Sequence, residues 1–332
     1  MKTDILILTN SEDGEHTSVV ENKLRARGGR IFRLDVDKLV SGQSSVVMRA
    51  GSSDWGFALA NTSGKVLSDG IKSVWYRRPN VFNFAISDPI QKRYSERELE
   101  MFLEGLWLGL SDAFWLNSPW KLESARKKIY QLKVAQTLGF VIPRTIVTNN
   151  PEEVEKFFGE CRGQVVFKAI YAEFLRYGDK QFNIPTTRVT NQHLERLKLV
   201  QTLPSLFQQL IPKVFEWRVT VVGDQIFPIR INSQEYEETM VDWRRPDFVT
   251  KLNYQVDSLP DELTRRCMAM MDIMGLSYGA FDFVTDEKGE TYFLELNSNP
   301  QWYWLEDLTG VLISDAIADI LALAPEERRT EP

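Results

Sequence analysis

The sequence predicts an α/β protein, parallel α/β in its opening unit and α+β over the whole, and three observations carry that reading. The chain begins strand, helix, strand, the pattern of a parallel sheet with crossover helices. Its last third reads as antiparallel hairpins with glycine turns, joined and closed by amphipathic helices. Its 332 residues also exceed one typical domain of about 150, so two or three domains are expected.

Asp4-Ile5-Leu6-Ile7-Leu8-Thr9 reads as a buried strand, Ser18 to Arg27 as a helix stopped at Gly28-Gly29, and Ile31 to Leu34 as the next strand. Short strands follow near Ser45 to Met48, Trp55 to Ala60 and Lys72 to Tyr76. A helix is expected over Glu96 to Leu110, with Leu99, Phe102, Leu103, Leu106 and Leu110 on one stripe. Asn117-Ser118-Pro119 marks a boundary. Beyond it Leu122, Ala125, Ile129, Leu132 and Ala135 keep helical spacing up to Gly139.

Asn150-Pro151-Glu152-Glu153 combines an N-cap, a first-turn proline and acidic residues, starting a helix that runs to about Phe158. Gln164 to Lys168 is then a strand, and the polar, aromatic stretch from Ala169 to Thr187 reads as a loop long enough to act as a lid. Leu206 to Ile211 opens a third unit, followed by a hairpin from Glu216 to Ile231 about Gly223-Asp224. A helix from Asp261 to Met274 stops at Gly275, Gly279 to Val284 pairs with Thr291 to Leu296, and Ser314 to Leu323 closes the chain as a helix. The units are expected at 1–117, 118–205 and 206–332.

Composition excludes several classes. Hydrophobic residues at 43% and charged residues at 26%, with no long uncharged run, argue against disorder and membrane spanning. A net charge of −6 argues against a chain that coats nucleic acid. Cys161 and Cys267 are too few for a disulfide framework and fit a reducing cytoplasm; the start, Met1 to Ile5, lacks a signal peptide's apolar stretch. His16 and His193, the only histidines, both read as solvated, so a multi-histidine metal site is out of reach. Neither GxxxxGK[ST] nor GxGxxG is present, so a bound nucleotide would need another device.

That device is suggested near the C-terminus. Hairpin counting places Asp282 opposite Glu295, and Asn297 shares the Glu295 face because strand side chains repeat every two residues. Two carboxylates and an amide suit Mg²⁺ shared with phosphate oxygens; the bland alternative is a polar cap on a turn. An unpaired carboxylate within Tyr292-Phe293-Leu294-Glu295-Leu296 would be costly, which favours the metal. Lys168 ends an apolar strand, so its tip either holds an anion or snorkels to water. By itself Lys128 reads as a solvated helix face, and Arg218, two residues after Glu216, as a cross-strand ion pair or an anion clamp. Asp242-Trp243-Arg244-Arg245-Pro246 sets two forked cations beside an indole, while Trp75-Tyr76-Arg77-Arg78-Pro79 reads mainly as packing.

In this order Lys128, Lys168, Gln208 to Ile211, Glu216-x-Arg218, Asp282 and Glu295-x-Asn297 resemble the ATP-grasp ligases over roughly Leu122 to Leu323. More narrowly, Trp75-Tyr76-Arg77-Arg78, Gln131-Leu132-x-x-Ala135-x-x-Leu138-Gly139, Ile142-Pro143-x-Thr145, Asn149-Asn150-Pro151-Glu152, Phe207-Gln208, Ile211-Pro212-Lys213 and Asp242-Trp243-Arg244-Arg245 are similar to the microviridin-type graspetide ligases. The resemblance implies a three-domain ATP-grasp fold and an ADP-forming ligase that joins side chains of a ribosomal precursor peptide, leader plus core, as esters or amides through an acyl phosphate. It implies ATP phosphates and adenine on Lys128 and Lys168, and hinge backbone groups from Gln208, Gln209, Leu210 and Ile211. Mg²⁺ would fall to Asp282, Glu295 and Asn297, and the γ-phosphate and acceptor carboxylate to Arg218, Arg244 and Arg245, with Glu216 near nucleotide or acceptor.

Two features depart from that pattern: the charge of Arg230, expected to add an anion contact or alter acceptor choice, and the aromatic run Trp302-Tyr303-Trp304, which either packs the final helix or lines a peptide groove. The competing readings are an ATP-grasp ligase acting on a small molecule or a protein terminus, and a nucleotide-binding regulator without turnover. Neither nucleic acid nor membrane is an expected partner, and a homodimer is the default oligomer.

Overall fold

The computed structural model describes residues 4–79, 84–171, 175–177, 180–182 and 184–323. The first unit contains β1 (Asp4–Thr9), α1 (Glu15–Ala26), β2 (Arg30–Asp35), α2 (Asp37–Val40), β3 (Ser45–Ala50), β4 (Trp55–Asn61), β5 (Gly64–Leu67), β6 (Ile71–Tyr76), α3 (Pro89–Leu108) and β7 (Phe114–Leu116). Its main sheet is wholly parallel in the order β2-β1-β6-β7, and β3-β4-β5 form a small antiparallel sheet beside it. A parallel sheet must be covered on both faces. Leu6, Leu8, Leu34 and Val74 pack against Leu103, Leu106 and Trp107 of α3 on one side. On the other, Ile5, Ile7 and Trp75 share a core with Val20 and Leu24 of α1 and with Ile313 and Ile317 near the chain's end.

The central part holds α4 (Pro119–Ala125), α5 (Lys128–Thr137), β8 (Thr145–Thr148), α6 (Pro151–Glu160), β9 (Val165–Lys168), β10 (Leu175–Tyr177), β11 (Lys180–Phe182), β12 (Thr187–Arg188), α7 (Asn191–Leu194) and β13 (Ser205–Gln209). Its sheet runs β12-β9-β13-β8, with β10 and β11 paired as a separate ribbon. The last part holds β14 (Lys213–Val222), β15 (Gln225–Ile231), β16 (Tyr254–Val256), α8 (Asp261–Met274), β17 (Tyr278–Asp286), β18 (Thr291–Asn297), α9 (Tyr303–Thr309) and α10 (Ile313–Ala322). Five antiparallel strands, β16-β15-β14-β17-β18, bury Trp217, Val219, Phe281, Phe283 and Phe293 against the Cys267, Met270 and Met271 face of α8. Gly275 ends α8 in the left-handed conformation, φ 64°, as its position in the sequence requires.

Several expectations need correction. The helix expected from Glu96 starts at Pro89, because Asp88 caps it by accepting from the Ile90 and Gln91 amides, and Phe102 lies at the exposed flank of the stripe. The single helix expected through Leu122 and Ala135 is two, broken at Arg126-Lys127, which leaves Ile129 exposed. Both halves pack with Trp217 and Met270, so α4 and α5 join the core of the third unit rather than the second. The border expected at 205–206 cuts into β13, which pairs with β8 and β9. The expected lid, 169–187, lies partly outside the described residues. His16 is not solvated; its ring packs edge-on against Trp302 at 5.3 Å. No described helix is long and apolar enough to cross a membrane.

Asn117 fastens the first unit to the rest. Only 2% exposed, it donates to the carbonyls of Tyr278 (2.6 Å) and Ser298 (3.0 Å) and accepts from the amides of Ser277 (2.8 Å) and Tyr278 (3.2 Å). Asn117→Ala strands these groups and is expected to cost about 2–4 kcal/mol. The measurement is the urea midpoint, which falls; an unchanged midpoint would mean that water replaces the side chain.

Candidate active site

Asp282 and Glu295 are paired residues of β17 and β18, and the register shifts beside them, between Asp282 and Phe283. This irregularity lets Phe293 enter the core while Glu295 keeps the opposite face. Arg218, the partner of Asp282 on β14, donates to its carboxylate at 2.9 Å, and the Asn297 amide donates to the other oxygen at 3.0 Å. Lys128, the first residue of α5, meets Glu295 at 3.0 Å, and Arg244 meets it at 2.7 Å. Gln131 fixes that approach of helix to strand by accepting from the Leu296 amide and donating to the Leu296 and Ala125 carbonyls.

Burial opposes ionisation of Glu295, but Lys128, Arg244 and Lys168 overcome it and hold the carboxyl well below the usual range. Asp282 goes the other way: burial raises it, Arg218 and Arg244 oppose the rise, and the charge of Glu295 adds to it. Lys168, at the end of β9, is pushed down to about 8 by burial, against the pull of Glu295. Arg244 is aimed by Asp242, which accepts from its Nε at 3.0 Å and from its backbone amide at 3.1 Å. Burial works against the Asp242 charge as well, but Arg244 keeps that carboxyl low.

Lys128, Lys168, Asp242, Arg244, Glu295 and Asn297 line one cavity of about 1450 Å³, roofed in part by Ile170, Tyr171 and 184–186. Arg218 and Asp282 are buried behind it, and Arg218 is committed to Asp282 rather than turned to the cavity. Glu216 is buried beside Lys213 at 2.8 Å, and burial raises its pKa despite that partner. Arg245 is exposed and outside the cavity lining. Gln208, Gln209, Leu210 and Ile211 also fall outside it; the Gln208 side chain donates to Thr145, and the amides of Gln209 and Leu210 donate to Arg144 and Gln164 carbonyls. Arg230 lies over the Phe215 ring at 4.0 Å on the other face of the sheet, pairs with Asp257 at 3.6 Å and lines no part of the cavity, so the anion it meets is a carboxylate of this chain. Trp302 and Trp304 are packing residues, the first fully buried with α10, the second against Trp243 and Tyr254.

Two positioning residues escaped sequence reasoning. Asp242 was legible only as an acid ahead of two arginines, and Gln131 as a polar residue in a helix that turns out to bury it. Two carboxylates and an amide oxygen, without Cys or His, fit a hard divalent cation that completes its shell with phosphate and water. Among the described residues no group of three or more Asp, Glu, His or Cys converges, so a cage made wholly of such side chains is not built. At this end of the cavity Lys128, Lys168 and Arg244 stand against Asp242 and Glu295, a local excess of one positive charge, while Arg218 and Asp282 offset each other behind it.

The family model described as the RimK-like ATP-grasp domain matches residues 125–321, and that of the MvdD pre-ATP grasp domain matches 4–123. A Chryseobacterium gregarium RiPP-associated ATP-grasp ligase, solved with ADP and a leader and core peptide, is 30% identical, covers 96% of this chain and 96% of its own, and superposes with a TM-score of 0.89. The macrocyclase MdnC of Microcystis aeruginosa MRC, bound to precursor peptide MdnA, is 30% identical over 96% of this chain and 99% of its own, with a TM-score of 0.83. MdnB, a macrocyclase from the same organism, is 30% identical over 97% of this chain and 100% of its own, at 0.81. A search of curated proteins gave no match.

Folded Lys168 loses its proton near pH 8, against 10.5 for an ordinary lysine, so between those values the unfolded chain binds more protons. Its buried charge therefore costs stability fully below about pH 8 and progressively less up to about 10.5. Relative to Lys168→Met, the wild type is expected to gain stability across that window in urea titrations. A constant difference would mean that Lys168 titrates like an exposed lysine.

Proposed function

Because the chain belongs to the RimK-like ATP-grasp family and is an ATP-grasp ligase, we propose that it macrocyclises a ribosomal precursor peptide, phosphorylating Asp or Glu side chains and closing them onto Ser, Thr or Lys. The observation that carries this is the convergence of Lys128, Lys168, Arg244, Glu295 and Asn297 on one cavity, large enough for a nucleotide and a peptide segment together. A carboxylate is a poor electrophile because oxide is a poor leaving group. In the first step a carboxylate oxygen of the peptide attacks the γ-phosphorus of ATP and ADP departs. In the second, a hydroxyl or amine attacks the acyl carbon, phosphate leaves with the former carboxylate oxygen, and the nucleophile gives up its proton.

The residues divide that work. Lys128 and Lys168 bring positive charge to the phosphates, and Arg244, held by Asp242, orients the transferring phosphoryl group and the acceptor carboxylate. Glu295, Asn297 and, behind them, Asp282 are the residues that would hold Mg²⁺. When bound, Mg²⁺ supplies neutralisation of phosphate charge. Arg218 acts through Asp282 as a positioning residue, and the buried Glu216–Lys213 pair fixes the start of β14 below the site. Segment 184–186, tied to Asp242 through the Thr186 amide, excludes water that would hydrolyse the acyl phosphate.

The test is mass spectrometry of a candidate precursor, a short acidic peptide containing Ser, Thr or Lys, incubated with enzyme, ATP and Mg²⁺. Loss of one water per bond, dependent on ATP, is expected; ADP release only with free amino acids would move the substrate to small molecules. Glu295→Ala is expected to abolish the loss while leaving the thermal transition within a few degrees. Lys168→Ala should raise the KM for ATP, whereas Arg244→Ala should lower ligation more than nucleotide affinity. Equal loss of both in Arg244→Ala would assign that arginine to the nucleotide alone.

A further inference from the structure

The far wall of the same cavity is formed by the first unit, where the sheet changes direction. The chain passes from β1 to β2 on one side and later returns with β6 on the other, so the crevice between the carboxyl ends of β1 and β6 is a topological switch point. Asn10 follows β1 and Arg77-Arg78 follow β6; the Asn10 amide donates to the Arg78 carbonyl at 2.6 Å and joins the two ends. The N-terminus of the twelve-residue α1 opens onto the crevice with no side-chain cap, bringing His16 in its first turn.

Two adjacent guanidinium groups meet one carboxylate here. Arg77 is fully buried; its Nε lies 3.3 Å from Asp13, one Nη donates to Asn299 and to the Pro300 carbonyl, and the other Nη has no partner. Asp13 also accepts from the hydroxyls of Thr9 and Thr17. Arg78 has no ion pair among the described residues, and burial together with Arg77 lowers its pKa. Burial and the two arginines likewise keep His16 uncharged, down to about 3, with an unpartnered Nδ1. A half-buried cation beside a buried one, with a single shared counter-charge, is costly unless an anion completes the set.

We propose that this crevice is a second anion subsite, in which Arg78, with the free edge of Arg77 and the α1 N-terminus, binds a side-chain carboxylate of the peptide substrate other than the one being phosphorylated. The inference rests on the reading of the chain as a peptide ligase. Arg77 is also a structural residue, locked to Asn299 and Asp13, so the binding function is tested on Arg78. Such a site would select peptides that present two acidic side chains at a fixed span, one to Arg244 and one to Arg78.

The experiment compares wild type, Arg78→Gln and Arg78→Lys on the precursor peptide and on copies in which each Asp or Glu is singly replaced by its amide. Arg78→Gln is expected to raise the peptide KM about tenfold and leave the ATP KM within about twofold, with partial recovery in Arg78→Lys. One amide peptide should reproduce the defect in wild type and add nothing to Arg78→Gln, as coupled partners do. An unchanged peptide KM would overturn the subsite, and an equal rise in ATP KM would give Arg78 to the nucleotide phosphates instead. If wild type does not process the peptide at all, the ligase reading fails first. The subsite is then judged by saturation-transfer NMR with N-acetyl-glutamate α-amide: a signal lost in Arg78→Gln sustains it, and one absent from wild type or kept in the variant ends it.

Discussion

Two carboxylates set side by side on a buried hairpin repel each other, and the rest of the site answers that constraint. Asp282 and Glu295 face one another across β17 and β18, and each is matched by a cation from a different element: Arg218 from the neighbouring strand, Lys128 from the first position of a helix, Arg244 from a loop. The opposite pKa displacements of the two acids express the outcome. Glu295 has cations enough to outweigh its burial, whereas Asp282 does not. Apart from the Asn297 amide on Asp282, the contacts in this group are charge to charge rather than shape to shape.

The elements that deliver these residues are held by buried polar clamps as much as by apolar cores. Gln131 hooks α5 onto the backbone of β18 beside Glu295, and Asn117 does the same for the end of the first unit at Tyr278 and Ser298. The apolar core is itself shared: Ile5, Ile7 and Trp75 pack with Trp302, Ile313 and Ile317, and Arg27, which caps the end of α1, pairs with Asp315 and Asp319 of α10. The first unit is thus closed by α10, the last of the described helices.

Much of this was legible in the sequence because it rests on local periodicity. Alternation placed Asp282 opposite Glu295, and glycine placed the end of α8. What failed was non-local. The break at Arg126-Lys127 interrupts an unbroken helical spacing, and Arg245 shares its chemistry with Arg244 but not its surroundings. His16 looked solvated because its neighbours in sequence are polar, while its neighbours in space are Trp302 and Tyr303. Arg77 read as packing, which is correct for its carbonyl and one Nη and incomplete for the other. No local pattern distinguishes a guanidinium with a partner from one without.

Asn297 and Asn299 stand at the end of β18, one bonded to Asp282 and the other to Arg77. Only Ser298 separates them, so a short bend of chain joins the wall that carries Glu295 and Asn297 to the wall supplied by the first unit. A tether that short leaves little slack between the walls at this point, so the cavity works as a gauge whose two jaws are tied by the chain itself.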